Sequence, residues 1–485
     1  MRYLNPHFLA QQVQRRTFLS RMGVGVGAAA LSSMLGNETV ARATSGTATG
    51  YRGLPGLPHF PAKAKRVIFL CMAGGPSHLE TFDYKPKLAA LHNQPMPESY
   101  TKGQPIAQLQ NQELRAYGPM FKFAQYGQSG QWVSELLPWQ QKLADDICVV
   151  KSMVTEQINH DPAHTFMNCG TAISGRASMG SWINYGLGAE TDELPGFVVL
   201  TSIGGRVPDQ PIASRQWSAG FLPSRFQGVE FSSSGDPVHY VRNPNGIPDD
   251  LQRASVDAIQ QLDAHRNQWL NNPEVQTRIA AYETAYRMQT SVPELMDMSK
   301  EPAHVLELYG ATPGDGSFAS NCLLARRLAQ RGVRFIHLYH RGWDHHGNLE
   351  RDIRKCADHT DRAAYALVTD LKQLGMLDET LVIWGGEFGR TPMVQGNKGE
   401  PGRDHHIKGF TMWLAGAGTG SGMSYGATDE LGYHAADNIV HVRDLHATML
   451  HLLGIDHKKL SVKFQGLDMR LTGVEEARVV KGILA

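Results

Sequence analysis

The sequence has no C-x-x-C pair, no glycine-rich dinucleotide fingerprint after any apolar run, and no apolar segment of comfortable membrane-spanning length. Its five cysteines, Cys71, Cys148, Cys169, Cys322 and Cys356, are odd in number and far apart. That argues against a disulfide framework, a thiolate zinc site and an attached haem, and leaves them as small buried hydrophobes. Net charge is equally scarce. Lys and Arg total 47 against 46 Asp and Glu, a formal +1, so no whole-chain field points to nucleic acid or an anionic membrane. Without the dinucleotide fingerprint, a nicotinamide-type oxidoreductase has no foothold.

What is abundant is histidine. There are 21, most in short clusters beside other polar groups. Imidazole is both the commonest metal ligand and the usual proton carrier near neutral pH. A hydrophobic share of 41% with 19% charged residues describes a globular chain with a large core.

The N-terminus reads as an address. Gln14-Arg15-Arg16-Thr17-Phe18-Leu19-Ser20 matches the twin-arginine pattern, a Gly- and Ala-rich run spans Met22 to Leu35, and Ala41-Arg42-Ala43 supplies a cleavage signal. The expected division is a signal peptide over 1–43, a disordered Gly-, Thr- and Pro-rich lead-in over 44–61, and one domain over 62–485. The translocase would be a partner during export, and the mature protein periplasmic or extracellular.

Six short apolar runs read as buried strands: Arg66 to Met72, Asp146 to Met153, Gly196 to Thr201, Val333 to Tyr339, Leu381 to Gly385 and Phe410 to Ala415. Helix-period segments lie at Ser317 to Gln330, Cys356 to Leu374 and Val442 to Leu453. This alternation predicts an α/β fold, a mainly parallel sheet covered on both faces. A polar helical stretch from Asp249 to Met288 breaks it and reads as an insertion at about 249–300.

Ligands of open α/β sheets bind beyond the carboxyl ends of the strands. There the sequence places His78, Glu80 and Asp83, then His160 and His164, then Asp344, His345 and His346, then Glu387 and Arg390. Arg403, Asp404, His405 and His406 precede the Phe410 run. Imidazole and carboxylate without thiolate suit Zn²⁺ first, with Mn²⁺ or Fe as alternatives. Arg390 and Arg403 are candidates for binding a phosphate or sulfate group. For all these groups to share one cleft, the Phe410 strand must run antiparallel to its neighbours.

VIFLCMAGGPSHLETFDYKP, NHDPAHTFMNCG, SMGSWINYGLG, GWDHHGN, LVIWGGEFGRTP and GRDHHIKGFTMWLAGAG resemble the domain-of-unknown-function 1501 family, as does the tail from Gly432 to Leu471. That family is grouped with alkaline phosphatases and sulfatases. The resemblance implies a three-layer α/β/α sandwich of alkaline phosphatase/sulfatase type. Asp344 and His346 are similar to the superfamily's Asp…His metal pair, and His405 or His406 to its late histidine. Glu387 and Phe388 stand where Asp-His is usual. Ala73-Gly74 replace the first-strand aspartate, leaving His78, Glu80 or Asp83 as substitutes. His160 stands where the Cys or Ser nucleophile would be, and His164 where the arginine would be.

These readings make the metal set Asp344, His346, Glu387, His405, His406 and His78, with Arg390 and Arg403 for substrate. His160 or His164 would be ligand, general base or phosphoryl-accepting nucleophile. The expected activity is metal-dependent hydrolysis of a phosphate or sulfate ester, small or polysaccharide. The alternative is a non-catalytic binding or assembly protein on a degenerate version of the fold.

Overall fold

The computed structural model describes residues 51–485 apart from 105, 111, 204–209, 239–247, 271–272 and 397–398. The twin-arginine segment and residues 44–50 of the lead-in lie outside the described residues; in the rest of the lead-in, Tyr51, Leu54 and Leu57 pack against the core. Each of the six expected strands is present: Arg66–Ala73, Ile147–Val154, Phe197–Ile203, Phe335–Arg341, Thr380–Gly385 and Phe410–Ala415. Every residue of the Arg66 strand is buried, as its unbroken apolar run requires.

They belong to a nine-stranded sheet. Its path runs Met423–Tyr425, Ile147–Val154, Phe410–Ala415, Thr380–Gly385, Arg66–Ala73, Phe335–Arg341, Phe197–Ile203, Val229–Phe231, and Val440–His441 pairs with the Ile147 strand off this path. The Arg66 strand is parallel to both its neighbours, pairing Leu70 with Leu338 and with Trp384. The Phe410 strand is antiparallel to the Ile147 and Thr380 strands between which it sits. The orientation required by the histidines ahead of it is therefore the one adopted.

Side chains alternate across this sheet and feed two cores, which makes the fold a three-layer α/β/α sandwich. Ile68, Leu70 and Met72 join Leu323 and Val368 from the Phe318–Gln330 and Leu349–Gln373 helices on one face. Val67, Phe69 and Cys71 join Ile183 and Leu445 from the Met179–Leu187 and Val442–Leu452 helices on the other. The polar stretch after Asp249 forms two helices, Asp249–Leu270 and Pro273–Met296. Among the described residues, no helix is long and apolar enough to cross a membrane.

The residues that follow the Ile147 strand and carry His160 and His164 are not a loop: His160–Cys169 is a helix. Asn159 is extended at its start, Asp161 and Pro162 suit a first turn, and Gly170, at φ +70°, ends it in the left-handed region.

Candidate metal centre

The carboxyl ends of the Arg66, Ile147, Phe335 and Thr380 strands and the start of the Phe410 strand share one edge, because only the last is reversed. There, ligand-type atoms of His160, Asp344, His346 and His405 all lie within 4.8 Å of one another. His346 Nε2 is 3.0 Å and His405 Nε2 3.2 Å from Asp344 Oδ1, and the two nitrogens are 2.9 Å apart. His160 Nε2 is 3.1 Å from the other oxygen, Oδ2, but off its hydrogen-bonding direction.

The outer nitrogens of these rings explain why the inner ones converge. His405 Nδ1 donates to the Ile158 carbonyl at 2.8 Å, an oxygen that can only accept. His346 Nδ1 meets Gln395 Oε1 at 2.6 Å, and the Gln395 amide is oriented by its nitrogen donating to Gln108 at 2.9 Å. In the tautomers these oxygen contacts favour, with the proton on Nδ1, His346 and His405 turn Nε2 toward each other and toward a carboxylate oxygen. Three acceptors at about 3 Å repel unless a cation or shared proton lies between them. Outer N–H groups held by carbonyl or carboxylate oxygen are the usual setting of metal-binding histidines. The donor set therefore fits a divalent metal of zinc type. Side-chain exposures of 24% for His346, 16% for Asp344 and 14% for His160 leave the centre reachable from solvent.

Beneath it lies a second group, His160, His164 and Glu387. Glu387 is fully buried, takes His160 Nδ1 at 2.7 Å, and accepts the Gly74 N–H on both oxygens, at 3.1 and 3.2 Å. His164 Nε2 lies 3.2 Å from Glu387, yet neither of its buried ring nitrogens has a hydrogen-bond partner. Phe388, in the superfamily's histidine position, packs 4.9 Å from the His160 ring and 4.6 Å from the His405 ring. The two imidazoles also touch each other, at 4.3 Å.

Charge at the centre is strongly biased. Burial alone would raise the Asp344 carboxyl, but Arg390 and then the three histidines hold it far below the usual range. Burial works against Glu387 too, and His164 and His160 outweigh it, bringing it down to about 2. His160 is pulled down by burial and raised by more through Asp344 and Glu387. His405 is lowered to about 4, chiefly by burial. Without metal, His160 takes a proton more readily than His164 or His405.

Other expected residues stand apart. His405 and His406 are adjacent on a two-residue strand antiparallel to Gly389–Arg390, so their side chains point to opposite faces. His406 bonds the Tyr433 carbonyl and His78 bonds the Gly432 carbonyl at 2.8 Å, which places both at the 429–434 turn. Arg403 is fully buried, paired with Glu80 at 2.7 Å, and donates to the Thr391 and Gly118 carbonyls. Arg390 is buried against Asp344 at 2.6 Å and against the carbonyls of Gly74, Gly75 and Arg403. Both arginines are structural struts, and the expectation that they meet a substrate anion is corrected by their saturated, buried guanidinium groups. Glu80 is that strut's partner, and Asp83 pairs with Lys85 at 3.1 Å, so neither replaces the missing aspartate. Gln108, Gln395 and Ile158, which orient His346 and His405, are not among the expected site residues.

The absent first-strand aspartate has a steric cause one residue along. Gly74 sits at φ +122°, and a Cβ there would be 2.5 Å from the Asp344 backbone nitrogen. We expect Gly74→Ala to cost about 1–3 kcal/mol of backbone strain and to push Asp344 off its partners. Thermal melts with metal analysis check this. Unchanged melting and metal content would remove Gly74 from the account.

The fold and its histidine–carboxylate centre define the chain as an α/β protein with a candidate divalent-metal site. Residues 64–484 match the family described as "Protein of unknown function (DUF1501)", and the chain belongs to it. No curated protein matches the sequence. Similar solved structures include the PsFucS1 sulfatase from Pseudoalteromonas sp., at 12% identity and TM-score 0.33 over 81% of this chain and 68% of that one. Another is the alkaline phosphatase of the Antarctic bacterium TAB5, at 13% identity and TM-score 0.27 over 73% and 92%. A third is the lipoteichoic acid synthase LtaP from Listeria monocytogenes, at 9% identity and TM-score 0.34 over 83% and 75%.

Proposed function

We propose that this protein is an exported, metal-dependent hydrolase of phosphate or sulfate esters. The observation that carries the reading is the convergence of His346 Nε2 and His405 Nε2 on Asp344 Oδ1, with the outer nitrogen of each ring held by a carbonyl oxygen. Asp344, His346 and His405 would hold a divalent metal, zinc first. Such an ion, when bound, polarises an ester oxygen and stabilises charge developing on it. Three protein ligands leave positions open for water and substrate, as catalytic zinc sites do. Gln395 and the Ile158 carbonyl keep the ligand rings turned inward, and the Arg390 guanidinium holds Asp344 ionised. The twin-arginine signal would carry the folded, loaded protein out of the cytoplasm.

One observation favours a second reading. His160 also faces Asp344, and as a fourth ligand it would close a tetrahedral site, which suits a structural or binding metal. Zinc titration of the metal-free chain, with p-nitrophenyl phosphate and p-nitrophenyl sulfate as substrates, separates the two. The hydrolase binds zinc and releases p-nitrophenol. The binder takes zinc and hydrolyses neither. His346→Ala and His405→Ala should each weaken zinc binding roughly a hundredfold or more, because each removes a ligand and its oriented outer bond. Wild-type affinity in both variants would end the metal assignment.

Replacing Arg15 and Arg16 by Lys should leave precursor in the cytoplasm, since the guanidinium pair is what the translocase reads. Fractionation of cells expressing each form checks it, and normal export of the Lys variant would sink the address.

A further inference from the structure

His160 differs from His346 and His405 in how it is held. Those two converge on Asp344 Oδ1 and are tied from behind by neutral oxygens, while His160 faces Oδ2 and is tied from behind by a carboxylate. Glu387 has no freedom to swing away. It is fully buried, and both its oxygens accept the Gly74 N–H. Nδ1 is thus committed to Glu387 at 2.7 Å, which leaves Nε2 as the ring atom presented to the centre. That Nε2 is buried and has no hydrogen-bond partner. Phe388 on one side and the His405 ring, 4.3 Å away, keep the imidazole from turning. His160 is also the first residue of the His160–Cys169 helix, where unpaired backbone amides favour an approaching anion.

An oriented imidazole backed by a buried carboxylate, its free nitrogen beside a cation site, is an activated nucleophile. We propose that His160 Nε2 is the covalent nucleophile of this centre and that the substrate is a phosphate monoester. This rests on the hydrolase reading above and adds the reacting atom and the ester class. In the first step the Nε2 lone pair attacks phosphorus and an N–P bond forms. The P–O bond to the alcohol breaks, its electron pair leaves with that oxygen, and the oxygen takes a proton from water. In the second step a water oxygen attacks phosphorus, the N–P pair returns to Nε2, and the water's proton passes to solvent. No oxidant or reductant is involved. Glu387 keeps the Nδ1 proton throughout and balances the positive charge that the phosphorylated ring carries. It is a positioning residue, and its own test is a fall in kcat with KM preserved in Glu387→Gln, with partial return in Glu387→Asp.

The full mature chain, loaded with zinc, is mixed with p-nitrophenyl phosphate and quenched in alkali, where an N-phosphorylated imidazole survives. Mass mapping should place one phosphoryl group on the peptide containing His160, and acid should remove it. His160→Gly should keep its zinc, take no label and lose turnover by roughly a hundredfold or more, with added imidazole restoring part of it. His160→Asn, which keeps a polar group at the helix start, should show the same zinc content and absence of label. Ester consumption without label, label on another residue, or loss of zinc from both variants overturns the nucleophile while leaving the hydrolase reading in place. A wild-type chain that binds no zinc and hydrolyses neither ester overturns both.

Discussion

The metal-free protein is expected to unfold cooperatively near pH 5, well above the range where ordinary carboxylates titrate. Burial lowers His337, His340 and His406 to about 3 and His164 and His446 to about 4, and all five are fully enclosed. A histidine whose folded pKa lies below 6.5 stays neutral in the native state and gains a proton on unfolding. Stability from these groups is therefore complete above pH 6.5 and is lost as pH falls toward 3–4. One group opposes this between pH 6.5 and 5: Asp361, raised to about 6 by burial, binds a proton more readily when folded, while His160, raised by its carboxylates, is protonated in both states below pH 6.5. The net uptake on unfolding is then about four protons, roughly 5 kcal/mol per pH unit at about 1.36 kcal/mol per proton. Native stability is usually about 5–15 kcal/mol, so one to two units below pH 6.5 suffices. Glu387 and Asp344, both depressed, add to the loss only below about pH 4.5. Thermal melts in the presence of chelator from pH 7.5 to 4.5 check it. A melting temperature level across that range would show that the buried imidazoles find partners on protonation.

The strands were readable because fully buried parallel strands are continuous apolar runs, and Arg66–Ala73 and Thr380–Gly385 are buried throughout. The reversed Phe410 strand followed from chemistry: His405 precedes its strand while Asp344 follows its own, so one shared cleft needs one reversed strand. Alternation along the His405–His406 strand was implicit as well, since neighbouring strand residues cannot face one ligand. What sequence spacing could not give was the pairing of distant charges. Arg403 reads as an exposed anion-binding residue until Glu80, 323 positions away, is found against it in the core. Gln108 and Gln395 are likewise unremarkable in sequence, and matter only because folding brings them 287 positions together behind His346. His160 was open among three roles because its setting depends on Glu387, and that contact spans 227 positions.

Asp344→Asn is the substitution expected to do most damage, since that carboxylate serves both stability and metal. Its Oδ1 is 2.6 Å from Arg390 Nη2, and Arg390 is 1% exposed. The guanidinium would keep its bonds to the carbonyls of Gly75 and Arg403 and to that of Gly74, but lose its only ion-pair partner among the described residues. Removing one partner of a buried pair leaves an uncompensated charge in low dielectric, which costs about 3–5 kcal/mol. An amide also turns two donors toward His346 and His405, whose ring nitrogens would accept them, so the inward geometry can survive while the charge that attracts a cation is gone. Urea unfolding at pH 7.5 should therefore show the full loss in the metal-free variant. Zinc at free concentration c should stabilise wild type by RT ln(1 + c/Kd), still rising after the site is full, and leave Asp344→Asn unmoved. Adding Arg390→Met takes away the stranded charge, and the double variant should recover much of the stability while still binding no zinc. If Asp344→Asn unfolds like wild type and zinc still shifts its transition, then Asp344 neither neutralises Arg390 nor holds the metal. The centre would then have to be sought around Glu387, His160 and His164, the other converging group.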